Sequence, residues 1–361
     1  MNTVIGLLII AIGSIGQSSS YVPIKKVKDW SWESFWLTQG VFAWLIFPLL
    51  GALLAVPSGG SLLQILSVDT SAALKAMLFG VLWGVGGLTF GLSMRYLGIA
   101  LGQSIALGTC AAFGTLIPAL MKGTNLFQGE GLVLLIGVCI TLAGISIIGY
   151  AGSLRAKNMS EEDKKKAIQD FAMTKGLLVA LLAGVMSACF AFGLEAGEPL
   201  VVSGTNELFK ALPATLMVTC GGFITNAVYC LYQNSKNKTF KDYGKTSLLT
   251  NNLLFCALAG LLWYSQFFGL GMGKSFLTPG SVMMAFSWCI LMALNVTFSN
   301  VWGILLKEWK GVSKTTILIL LSGLAVLIFS LVFPNTRLLF VVTALFKKLA
   351  VLIFSLVYPN L

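Results

Sequence analysis

Two carboxylates three positions apart, Glu195 and Glu198 in CFAFGLEAGEPL, stand at the end of an apolar run. At i, i+3 they share one helical face. Two carboxyls crowded in a partly dry site take raised, coupled pKa values, suited to picking up and releasing a proton. The chain has no histidine, so these two are the proton-coupling candidates. The other acidic residues (Asp29, Glu33, Asp69, Glu130, Glu161, Glu162, Asp163, Asp170, Glu207, Asp242 and Glu308) fall between apolar runs. A second reading ends the helix at Gly193 and leaves both glutamates in an outer loop capped by Pro199.

Trp83 and Trp263 form the other candidate pair, because Gly80-Val81-Leu82-Trp83 recurs as Gly260-Leu261-Leu262-Trp263. Apolar C–H faces of a small neutral sugar stack on such rings, while its hydroxyls need a few polar anchors. The candidate anchors are Gln17, Tyr21, Gln103, Tyr264, Gln266 and Asn300. The plainer alternative is that the tryptophans pack between helices and the amides hydrogen-bond across them. Lys25, Lys26 and Arg95 lie at span ends, where long cations reach toward the interface. Other chemistry is excluded. Without histidine there is no Ser-His-Asp triad, and the seven cysteines lie in apolar runs without CxxC spacing, so no metal site is expected. GLGMGKS at 269–275 lacks phosphate-loop spacing. The chain is not expected to be an enzyme, to need a cofactor other than a proton gradient, or to bind nucleic acid. Its oligomeric state is left open.

The elements that must hold these residues are membrane helices. The chain is 57% hydrophobic and 10% charged, with mean hydropathy +0.89, against about a quarter charged residues in soluble domains. A span takes about 20 apolar residues. That length predicts ten, over 3–22, 35–56, 72–94, 98–121, 131–151, 176–195, 211–232, 248–270, 279–305 and 314–333. Seventeen Lys and Arg residues follow the odd-numbered spans and four follow the even-numbered ones. The net +11 therefore reads as topology, with the odd loops cytoplasmic. Gly80, Gly84, Gly87 and Gly91 make a stripe at i, i+4, i+7 and i+11, the small-residue surface along which membrane helices approach closely. Pro48 and Pro118 are expected to kink or interrupt spans two and four.

The polar stretch 152–175 divides the spans five and five. An odd number per half reverses membrane orientation, so the expected architecture is all-α with two inverted five-helix repeats, 1–151 and 176–335. The 152–175 segment is then a cytoplasmic linker. Residues 336–361 form an atypical tail, in which LAVLIFSLVYPN at 349–360 repeats LAVLIFSLVFPN at 324–335.

Five separated segments, SSYVPIKKVKDWSWE (19–33), FGVLWGVG (79–86), SMRYLGIALG (93–102), LLWYSQFF (261–268) and LLKEWKG (305–311), together resemble the L-rhamnose–proton symporter family of the drug/metabolite transporter superfamily. They occur in the same order from the first span to the last and cover nearly everything before about residue 335. The resemblance implies a ten-helix protein of the bacterial inner membrane that takes up L-rhamnose, or a related 6-deoxy sugar, with a proton. It places Lys25, Lys26, Trp32, Glu33, Trp83, Arg95, Trp263, Tyr264, Gln266, Lys307, Glu308 and Trp309 in shared motifs. Two rival readings remain: an exporter of a drug or metabolite on the same fold, and a non-transporting membrane sensor or scaffold.

Overall fold

The computed structural model describes residues 2–97, 99–157 and 173–335, the side chains of Arg95, Ile99 and Ala100 excepted. The shared-motif charge of Arg95, most of the linker and the whole tail 336–361 therefore lie outside the described residues. Among those described, the secondary structure is helical throughout. Ten helices are long and apolar enough to cross a membrane, one for each predicted span. They are α1 (Thr3–Ile24), α2 (Trp32–Leu53), α3 (Thr70–Leu97), α4 (Ile99–Met121), α5 (Gly129–Lys157), α6 (Met173–Ala196), α7 (Leu212–Asn237), α8 (Thr246–Lys274), α9 (Val282–Leu305) and α10 (Lys314–Val332).

Local chemistry sets the boundaries. The carboxylate of Asp69 accepts from the Ala72 amide at 2.9 Å and caps α3. Ser281 and Ser313 accept from the third amide on, at 3.3 and 3.2 Å, and cap α9 and α10. Each such cap stabilises its helix by about 1 kcal/mol. Pro48 does more than kink α2. It has no N–H to offer the carbonyl one turn back, and the preceding stretch Val41–Ile46 widens into a π turn. Pro118, expected to interrupt α4, is instead accommodated near its end, and the helix runs on to Met121.

The described residues pack as two compact units, those of Met1–Val85 with Cys189–Leu277, and those of Gly86–Ala188 with the part of Thr278–Leu361 up to Asn335. The divisions fall inside α3 and α6. Each packing unit thus draws on both sequence halves.

In the first unit α1 lies along α8 through small residues. A Cβ on Gly6 would meet the Gly273 carbonyl oxygen at 2.7 Å, and one on Gly13 would meet Gly269 Cα at 3.2 Å. α2 packs on α8 where Gly260 faces Phe42 and the Ala43 amide. The upper half of the α3 stripe is buried against α7: Gly80 faces the Val218 backbone, Gly84 faces Thr225, and Thr225 Oγ1 donates to the Val81 carbonyl at 2.9 Å. The stripe is not continuous, because Gly87 and Gly91 have no neighbour within 4 Å among the described residues.

In the second unit α10 packs on α5, with Gly144 against Leu327 and Gly323 against Ile148. The indole of Trp288 on α9 donates to the Cys110 carbonyl of α4 at 3.2 Å. At the end of α5, Arg155 pairs with Glu308 at 3.5 Å and lies over the buried Trp309 ring at 5.1 Å. The LLKEWKG motif thereby pins the α9–α10 connection to α5.

Candidate functional site

The first unit contains a continuous aromatic cluster built from α2, α3, α6 and α8. Trp44 stands edge-on to Trp83 (6.0 Å, 89°) and to Trp263 (5.8 Å, 81°), and Trp83 and Trp263 are 5.8 Å apart. Phe190 meets Trp83 edge-on at 5.1 Å and stacks on Phe267 at 3.8 Å. Phe190 is fully buried, while Trp83 and Trp263 are only half-buried. The two echoed Gly-x-Leu-Trp segments are therefore in contact through their tryptophans. Glycine makes this possible: the Trp83 ring occupies the space where Gly222 of α7 would carry a Cβ. Gly222→Ala should displace that ring. The expected result is a loss of about 1–3 kcal/mol from overpacking, read as a lower thermal midpoint together with a changed tryptophan emission spectrum.

Polar atoms within the unit separate into partnered and unpartnered. Gln266 is buried and its amide donates to the Trp263 carbonyl at 3.1 Å. Among the described residues, the buried polar atoms of this unit without a hydrogen-bond partner include Ser14 Oγ, Trp30 Nε1, Gln39 Oε1, Trp44 Nε1 and Tyr264 Oη. Leaving such a group unpaired costs roughly 1–3 kcal/mol, so a concentration of them beside half-buried rings marks a place suited to a polar ligand with apolar faces.

The sequence-read residues divide as follows. Trp83, Trp263, Tyr264 and Gln266 fall in this one neighbourhood. Gln17 is half-buried on α1, and Tyr21 is 60% exposed at its end. Gln103 and Asn300 belong to the second unit, where the Asn300 amide donates to the Val296 carbonyl at 2.8 Å. Lys25 and Lys26 are exposed. α6 ends at Ala196, between the two boundaries weighed above. Glu195 is half-buried with Lys274 of α8 4.0 Å away, and Glu198 is exposed in the following turn.

Sequence reading assigned Glu33 and Asp242 to loops, but both are buried, at 6% and 4% exposure. Glu33 accepts from Asn237 Nδ2 at 2.9 Å and Thr239 Oγ1 at 2.8 Å. Asp242 accepts from Ser31 and Ser34 and pairs with Lys245. Lys245 apart, the partners are about 200 positions away along the chain, which no local pattern announces. Trp44 and Gln39 were also missed. The available signal was a lone amide inside the second apolar run.

Ten apolar helices make this chain a multi-pass integral membrane protein. The profile of the L-rhamnose-proton symport protein family matches residues 1–334. L-rhamnose-proton symporters of Yersinia pestis (strain Pestoides F) and Yersinia pseudotuberculosis (strain YPIII) are each 34% identical over 336 residues, covering 90% of this chain and 95% of the relative. The chain belongs to the L-rhamnose–proton symport family.

Proposed function

We propose that this protein is a secondary active transporter of the bacterial inner membrane that takes up L-rhamnose, or a related 6-deoxy sugar, together with protons. The observation that carries the reading is the half-buried Trp83–Trp263 pair with unpartnered polar atoms beside it. The rings offer apolar faces to the C–H side and methyl group of the sugar, and Tyr264 and Gln266 are the nearby polar anchors on α8. Transport proceeds by alternating access in a fold of two inverted five-helix repeats, the arrangement general to such carriers. No cofactor is required, since the proton gradient supplies the driving force.

Glu195 carries the proton, and Glu198 lies one turn on. The Lys274 ammonium of α8 lies 4.0 Å from the Glu195 carboxyl. A proton taken up there acts at a contact between α6 and α8. Asp242 and Glu33 are less suited to this role, because several donors already hold each of them.

The test is uptake of labelled L-rhamnose into proteoliposomes with and without an inward proton gradient. Wild type should accumulate the sugar only with the gradient. Glu195→Gln should abolish accumulation, bringing internal and external sugar to parity, while retaining sugar exchange. Full accumulation by Glu195→Gln would move the proton site elsewhere. Gradient-independent behaviour of wild type would reject symport.

A further inference from the structure

We propose that Gln39, just ahead of the π turn in α2, and Trp44, within that turn, are an acceptor–donor pair that binds two neighbouring hydroxyls of the sugar. The inference rests on the transport reading above and names which groups read the substrate.

Three observations converge. First, both side chains are almost fully buried, at 3% and 4% exposure, yet Gln39 Oε1 and Trp44 Nε1 have no hydrogen-bond partner among the described residues. A leucine and a phenylalanine would fill the same space without unpaired polar atoms, so folding alone gives no reason for an amide and an indole here. Second, Trp44 sits within a π turn, Val41–Ile46, that begins two residues after Gln39 and is closed by the Phe47 amide on the Phe42 carbonyl. Such wide turns shift the register of the side chains that follow and occur often at functional sites. Third, both residues meet the same stretch of α8. The Gln39 backbone carbonyl lies against Gly260, and the Trp44 ring stands 5.8 Å from Trp263 and 6.0 Å from Trp83.

The chemistry is complementary. An indole N–H can only donate, and the amide Oε1 can only accept. A sugar hydroxyl does both, so one hydroxyl accepts from Trp44 Nε1 while its neighbour donates to Gln39 Oε1, with the sugar's C–H surface against Trp83 and Trp263. Tyr264 is a separate anchor and not part of this pair, its hydroxyl lying against Gly51 of α2.

The experiment measures equilibrium binding of labelled L-rhamnose to purified protein in detergent. Wild type, Gln39→Leu and Trp44→Phe are compared, with competition by analogues each lacking one ring hydroxyl. Each variant should bind L-rhamnose about 10-fold more weakly, the equivalent of one hydrogen bond to a neutral partner. Each should melt, without sugar, at or above the wild-type temperature, because an unpaired buried atom has been removed. Each should also lose discrimination against one particular analogue, and the two analogues should lack adjacent hydroxyls. Lower melting temperatures with all analogues weakened equally would show a structural role and overturn the inference, as would an unchanged order of analogues. If wild type binds L-rhamnose without accumulating it under a proton gradient, the coupling reading fails and this pair stands. If wild type binds no L-rhamnose at all, both fall.

Discussion

An alanine at Gly80 should weaken the whole α3–α7 contact, whereas an alanine at Gly91, three turns along the same stripe, should cost nothing. A Cβ on Gly80 would run into the Val218 carbonyl of α7, and on the facing helix a Cβ on Gly221 would run into the Met77 carbonyl of α3. Both obstacles are backbone, so no rotamer change relieves them and one helix must move. Overpacking of this kind costs about 1–3 kcal/mol, and occasionally more. Here the movement would also break the Thr225–Val81 hydrogen bond and shift Trp83, one turn on from Gly80. Gly91 has nothing within 4 Å among the described residues. Alanine there would only remove the flexibility of glycine, a gain of up to about 1 kcal/mol. Thermal melts of the two variants in one detergent check the pair: a large drop for Gly80→Ala and none for Gly91→Ala. Equal drops would mean that the stripe packs along its whole length.

That contrast shows what the sequence could and could not say about the fold. Hydropathy located all ten spans, because the bilayer demands an apolar run of set length whatever the tertiary contacts. It reads where the membrane ends, not where the helix ends. α5 was expected to stop at 151 yet continues through Ser153 and Arg155 to Lys157, since a polar residue leaves the bilayer without leaving the helix. Glycine spacing gave the face of α3 but not how far along it a neighbour reaches. Pro48 signalled a disturbance in α2. The form it took, a π turn ahead of the proline, depends on Gly260 and the rings that receive Trp44.

At the candidate site the internal echo was informative, because it singled out the two tryptophans that touch. Trp44 carries no such echo, and in an apolar run it reads as packing. Its significance comes from an unpartnered nitrogen, a property of the folded chain alone. The carboxylates behave in the opposite way. Glu195 looked chemical by position and has one neighbouring cation. Glu33 and Asp242 looked like loop charges and are the centres of a buried network joining the α1–α2 connection to the end of α7.

Asp242 should be the most costly of those charges to remove. Its side chain accepts from the Ser31 amide at 2.8 Å, the Ser31 hydroxyl at 2.7 Å and the Ser34 hydroxyl at 3.0 Å, and it pairs with Lys245 at 3.1 Å. Asp242→Ala removes the acceptor of the Ser31 amide, while the Ser34 hydroxyl keeps Asn234 Oδ1 at 2.9 Å, and a hydrogen bond to a charged group contributes about 1.5–3 kcal/mol. The expected loss is about 3 kcal/mol. Lys245→Met should cost less than 1 kcal/mol, because its side chain is 37% exposed and water screens the pair. Acid provides a second readout. Burial alone would raise the Asp242 pKa, but the Ser31, Lys245 and Ser34 donors outweigh it and bring it down to about 2 from 3.8. A folded-state value below the unfolded one means that the contribution is complete above about pH 4 and disappears as pH falls from there toward 2. Wild type should therefore lose melting temperature over that window more steeply than Asp242→Asn, which cannot titrate at this position. Parallel acid profiles for the two proteins would show that the network holds Asp242 by packing and not by charge. In that case Asp242→Asn should also match wild type at neutral pH, a result the four donors gathered on one carboxylate argue against.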